Sequence, residues 1–255
     1  MAASHDRSEN LPEPDAAGIG GRSRLAAALE GSSFRGPYAT ARGEGSDPER
    51  HSRSEISNHE RARLEAAREA GEVDTLFLPP PGGYNRNPGM EHRVWQQLEE
   101  NGESRIYKTT RPEASGMANR IELGPDGELR IFQMSSTPTE YLRRLAMQDV
   151  IFGGDTRFEG IGKEPNGSIG FVHSQPEYVG EHPPMPEIVQ MLVDRGFVQI
   201  GDPKNNKWFR AEDGVVLSDC HQGNFVRLPD GTIHAIDLVI SQAPAEIEVA
   251  TRGGE

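Results

Sequence analysis

The stretch from Val215 to Asp237 constrains this chain more than any other. Val215-Val216-Leu217 runs apolar into Ser218-Asp219 and then into a polar loop, Cys220-His221-Gln222-Gly223-Asn224. Phe225-Val226-Arg227-Leu228 has strand-forming side chains, Pro229-Asp230-Gly231 supplies turn residues, and Thr232 to Ile236 reads as the returning strand. A hairpin folded back in this way carries Asp219, Asn224 and Asp237 to one end of a small sheet. Two carboxylates and an amide oxygen gathered there suit a hard, oxygen-seeking cation such as Mg²⁺, with one acid left to handle a proton.

The rest of the chain divides by composition. Of its 255 residues only 34% are hydrophobic, and 29 glycines and 19 prolines argue against a chain packed throughout. Residues 1–55 are rich in Ser, Gly, Glu, Asp and Arg and cannot bury enough apolar surface to offset their ordering entropy. They are expected to be disordered, with a helical turn or two at Arg24–Glu30. A solvated tail is the plain reading, and a leader for secretion into a host cell or for docking a partner is the other. Residues 56–84 read as a helix and a connector. Asn58–Ala70 is full of helix formers and closes at Gly71, but its apolar side chains are mostly alanines, and Pro79–Gly83 forms a semi-rigid link. The folded domain is expected over 85–255.

Within that domain the pattern is α+β. Arg93–Leu98 and Ser104–Thr109 read as a hairpin around Glu100-Asn101-Gly102, and Arg120–Leu123 and Glu128–Ile131 as a second around Gly124-Pro125-Asp126-Gly127. Ser136-Thr137-Pro138 then opens a helix, with Thr137 and Glu140 spaced as a capping box and Leu142, Leu145 and Ala146 as its inner stripe. Gly167–Gln175 is a strand with a polar exit, Pro176–Glu181. Pro186–Arg195 is a helix with Ile188, Val189, Leu192 and Val193 on its buried side. Short strands at Phe197–Ile200 and Trp208–Arg210 lead into Val215.

The order Asp219-x-His221-x-x-Asn224, followed by an apolar strand ending in Ile236-Asp237, resembles the catalytic and metal-binding segments of kinase-fold phosphotransferases. It is most similar to aminoglycoside- and choline-type kinases and to compact bacterial effector or mobile-element kinases. It departs from the protein-kinase form in two ways: no Arg precedes Asp219, and Leu238-Val239 replaces Phe-Gly. The resemblance implies a protein-kinase-like two-lobed fold with a reduced second lobe, ATP and Mg²⁺ as cofactors, and a hydroxyl-bearing acceptor, protein or small molecule. It makes Asp219 the base, Asn224 and Asp237 the Mg²⁺ ligands, and Lys108 the strand lysine on the α- and β-phosphates. Glu140 is the candidate partner of Lys108, although its capping role weighs more, and Gln148 and Asp149 are rivals. Gln175 and Glu177, at the polar exit, fall where an interlobe hinge meets the adenine. A GxGxxGxV lid is absent. Gly82–Gly89 stands in its place with poor spacing, and His92 or Arg93 would then reach a phosphate.

Other classes fall away. A net charge of −13 opposes general nucleic-acid binding, which needs a basic face. The single cysteine, Cys220, excludes a disulfide framework or a cysteine zinc site within one chain and reads as a small buried thiol. No apolar run nears the ~18 residues of a membrane helix, and no signal-peptide core follows Met1, so a cytoplasmic protein without membrane partners is expected. Two alternatives to the enzyme remain: a nucleotide-binding pseudokinase that acts by docking, and a metal-dependent hydrolase built on Asp219, His221 and Asp237. Zn²⁺ would suit the hydrolase and Mg²⁺ the kinase.

Overall fold

A computed structural model describes residues 53–79, 91–112, 114–164 and 167–244. The expectations for residues 1–52 and for the glycine-rich segment Gly82–Gly89 lie outside them. The described chain is α+β. In order it forms α1 (Arg53–Glu69), β1 (Thr75–Phe77), β2 (His92–Leu98), β3 (Ser104–Thr110), β4 (Met117–Leu123), β5 (Leu129–Ser135), α2 (Pro138–Phe152), β6 (Arg157–Lys163) and β7 (Ile169–Pro176). Then come α3 (Met185–Asp194), β8 (Val198–Gln199), β9 (Trp208–Arg210), β10 (Val215–Ser218), β11 (Phe225–Arg227), β12 (Ile233–Ala235) and β13 (Val239–Gln242).

Two sheets carry the architecture. The first is mixed and five-stranded, in the order β1-β6-β7-β3-β2. Its centre, β7, is buried along nearly its whole length, so both of its faces are covered. Trp95 and Tyr107 lie opposite one another on β2 and β3 and stack at 5.4 Å between ring centroids, adding a cross-strand aromatic pair to the ladder. β1 pairs in parallel with β6, so the chain joins this sheet ahead of the boundary at residue 85 expected from composition. The second sheet is four-stranded, in the order β13-β10-β9-β8. Its central strand β10 is the apolar run Val215–Leu217, fully buried with Ser218 at its end. Against it pack Ile188 and Leu192 of α3, Phe197, Trp208, Phe225, Leu238 and Phe152 from the end of α2.

The β4–β5 hairpin packs on the second sheet. Ile121 and Ile131 face each other in register and pack on Phe209 and Val216 of the second sheet. Asn119 adds polar ties, with its backbone N–H donating to Ser241 Oγ and its side-chain amide to Val239 O, both at 2.9 Å. The connector after β7 is bridged to β11. Glu181 and Arg227 exchange backbone hydrogen bonds of 3.1 and 2.7 Å. A Cβ on Gly180 would stand 2.0 Å from Arg227 O, so only glycine lets the connector lie this close to β11.

α2 starts as the sequence dictates, whereas α1 begins at Arg53, ahead of the expected Asn58 and within the segment 1–55 read as disordered. α2 opens with Thr137 as N-cap and Pro138 behind it; Thr137 Oγ1 accepts from Glu140 N at 3.4 Å, and Glu140 Oε2 accepts from Thr137 N at 2.8 Å. α1 docks beside this terminus with little apolar burial, Leu64 being its buried hydrophobic side chain. Polar contacts hold it instead. Glu60 Oε2 accepts from Thr139 N at 3.0 Å, satisfying another first-turn N–H of α2, and Arg53 forks onto the Glu140 carboxylate. No helix among the described residues is long and apolar enough to cross a membrane.

Candidate functional site

β10 delivers Asp219 at its end, where the chain turns sharply: Asp219 has φ of 61°, a left-handed conformation that aspartate tolerates better than most residues. The turn is held by His221 N donating to Asp219 O at 2.9 Å. A single 3₁₀ turn over Gln222–Asn224 follows, capped by His221, whose Nδ1 accepts from Gly223 N at 3.1 Å. Because a backbone N–H can only donate, neutral His221 carries its proton on Nε2, which lies 3.6 Å from Asp219 Oδ1. Asn224 then folds back: its Nδ2 donates to Asp219 O and Oδ2, both at 2.9 Å. With its amide hydrogens engaged there, Asn224 has its Oδ1 left to meet a ligand.

The β11–β12 hairpin brings the second acid in. Ile236 N donates to Asn224 O at 2.9 Å, which sets Asp237 one residue from the loop. Lys108 of β3 closes the arrangement: its Nζ donates to Ile236 O at 2.7 Å and lies 3.7 Å from Asp237 Oδ1. Four residues spread over more than a hundred positions, Lys108, Asp219, Asn224 and Asp237, are therefore joined by a continuous run of contacts. Asp219 and Asp237 keep partly exposed side chains, whereas Lys108 is buried.

The electrostatics follow from that burial. Desolvation lowers the Lys108 pKa, and the Asp237 carboxylate pulls against it. Burial alone would raise the Asp237 pKa, but Lys108, His92 and Arg144 outweigh it and hold this carboxyl well below the usual range. Burial raises the Cys220 thiol far above its ordinary value and leaves it unreactive, 3.8 Å from Ser218 O.

The other expected residues are placed elsewhere. Glu140 is held by Arg53 and by its own capping box, away from Lys108. Asp149 Oδ1 accepts from Thr156 N at 3.0 Å, and Gln148 donates to Ala235 O at 3.3 Å, so neither rival meets Lys108. Gln175 is buried in β7 opposite Ile106. Glu177 turns back to the sheet: its N–H donates to Ser104 O at 3.0 Å, and its carboxylate accepts from Ser104 Oγ at 2.7 Å and Gln96 at 2.6 Å. The next aromatic, Tyr178, stacks on His234 of β12 at 4.4 Å and 12°. Arg93 pairs with Glu164. His92 points inward, bonded through Nε2 to Tyr141 OH at 3.0 Å, and Tyr141 OH bonds His173 Nδ1 at 2.7 Å.

Two residues around the site were not legible in sequence. Arg144 of α2 reaches Glu91, Leu238 O and Asp237 Oδ1. Glu91 also accepts from Met117 N at 2.7 Å. The one available signal is that Arg144 is a charged side chain among Tyr141, Leu145 and Gln148 on the inner face of a helix. Glu91, His92 and Asp237 have donor atoms within 4.8 Å of one another, which is metal-like spacing. Arg144 and Lys108 neutralise the same carboxylates, so this trio is charge-balanced without an ion. Asp237 and Asn224 offer oxygen donors only, the kind a hard divalent cation takes. No family model, no curated protein and no solved structure matches the chain.

Proposed function

We propose that the chain is an ATP- and Mg²⁺-dependent phosphotransferase with a kinase-like arrangement of its two sheets. The observation that carries this reading is the contact run joining Lys108 to Asp237, Asn224 and Asp219. Lys108 supplies a buried cation for the α- and β-phosphates. Asp237 and Asn224 Oδ1 would hold Mg²⁺, which when bound neutralises charge on the phosphate oxygens. Asp219, half-exposed and beside them, orients the acceptor hydroxyl and takes its proton.

A docking pseudokinase is the second reading, and one observation favours it: Lys108 and Arg144 both lie on Asp237 Oδ1, opposing a cation there. Nucleotide binding by calorimetry, beside transfer from γ-labelled ATP with and without Mg²⁺, separates the two. Asp219→Asn is expected to bind Mg²⁺·ATP as the wild type does while transfer falls about a hundred- to ten-thousand-fold, the usual worth of a general base. Asp237→Ala is expected to lose the Mg²⁺-dependent part of binding. Full transfer by folded Asp219→Asn ends the base assignment. Wild-type binding without transfer to the chain itself or to a broad acceptor panel selects the docking reading.

A further inference from the structure

Three side chains from the first half of the fold grip consecutive parts of the strand end that carries Asp237. Gln148 donates to Ala235 O at 3.3 Å, Lys108 to Ile236 O at 2.7 Å, and Arg144 Nε to Leu238 O at 2.7 Å. Gln148 and Arg144 are four residues apart on α2 and therefore share a face. Arg144 is buried and goes further than the other two. Its Nη2 donates to Asp237 Oδ1 at 3.1 Å, and its Nη1 to Glu91 and, at 3.3 Å, to Met117 O. A planar fork meeting two carbonyls and two carboxylates fixes direction in a way a flexible ammonium cannot. Glu91 is itself fixed, by Met117 N and by the bare Cα of Gly116, where a Cβ would stand 2.5 Å from Glu91 Oε1.

We propose that Arg144, with Glu91 as its counter-charge, is the positioning residue for the metal-binding carboxylate of Asp237. α2 thus contributes a cation to the site, and its acid, Glu140, stays at the helix start with Arg53. This inference rests on the phosphotransferase reading of Asp237. Two effects of removing Arg144 have opposite signs. As a mere neighbouring charge, Arg144 repels a divalent cation, so its loss would tighten metal binding. As the group that aims Asp237, its loss loosens the carboxylate and weakens metal binding. Outer partners of metal ligands are typically worth about ten- to a hundredfold in metal affinity, enough to outweigh repulsion from a cation already neutralised by Glu91.

The experiment measures Mn²⁺ binding, as a stand-in for Mg²⁺, from loss of the free-ion electron paramagnetic resonance signal in the presence of a non-hydrolysable ATP analogue. Metal-free nucleotide binding is measured beside it by calorimetry. Arg144→Met is expected to weaken Mn²⁺ binding about tenfold or more and to leave metal-free nucleotide binding within about twofold. Arg144→Lys, which keeps the charge and loses the fork, should recover part of the loss. Since Arg144→Met strands a buried Glu91, the pair Glu91→Gln/Arg144→Met repeats the test without an unpaired charge. Unchanged or tighter Mn²⁺ binding in either folded variant overturns the inference while leaving the phosphotransferase reading intact. Absence of any metal-dependent nucleotide binding in the wild type overturns both.

Discussion

Acidification from pH 7 to 4.5 is expected to cost this fold about 2–3 kcal/mol through one buried side chain, His92. His92 is 2% exposed, bonded to Tyr141 and edge-on to His173 at 5.3 Å. Burial lowers its pKa from 6.5 to about 4, with Asp237 and Glu91 opposing the shift and Lys108 and Arg144 adding to it. In the unfolded chain the imidazole takes up its proton as pH falls through 6.5, while the folded site resists until about 4. The unfolded state therefore binds more protons across that window. Stability is complete above the upper value, falls with pH through the window, and levels off below the lower value. The full difference is about 3 kcal/mol at 1.36 kcal/mol per pKa unit, and most of it is reached at pH 4.5. For a domain of this size that corresponds to about 5–10 °C in Tm. His92→Gln removes the titration and keeps an amide for Tyr141 OH. Denaturant unfolding of wild type and His92→Gln at intervals from pH 7 to 4.5 should give lines that diverge by that amount, the wild type falling faster. His173, lowered chiefly by burial and further by its neighbour His92, adds a fall of the same sign, of which the variant keeps the burial part and loses the His92 part. Parallel pH dependences with a folded variant would refute the reasoning.

Two further outcomes test the packing around the site. Gly180→Ala places a Cβ 2.0 Å from Arg227 O, so the Glu181–Arg227 bridge must give way; a loss of about 1–3 kcal/mol is expected in chemical denaturation, and a neutral result would show that the connector is not held against β11. Glu60→Ala leaves the Thr139 N–H on α2 without its acceptor and should cost about 1 kcal/mol, with faster amide exchange at Thr139 as the local signature.

What the sequence determined by itself is what neighbouring residues decide among themselves. Asn101-Gly102, Asp126-Gly127 and Asp230-Gly231 close three hairpins that pair in the expected place, because turn chemistry and side-chain alternation act over a few residues. Thr137, Pro138 and Glu140 start α2 for the same reason, and the hairpin between Asn224 and Ile236 carries Asp237 to the polar loop. Tertiary structure alone decided which distant charges meet. Glu140 and Arg144 lie one helical turn apart, and either was chemically able to face Lys108 or Asp237. The choice was made by Arg53, 87 positions from Glu140, and by Glu91, 53 positions from Arg144. The parallel pairing of β1 with β6 and the placing of β7 between β3 and β6 are equally non-local. A hydrogen bond or ion pair across such separations leaves no periodic trace in the chain, since its partner is selected by how sheets and helices pack and not by spacing along the sequence.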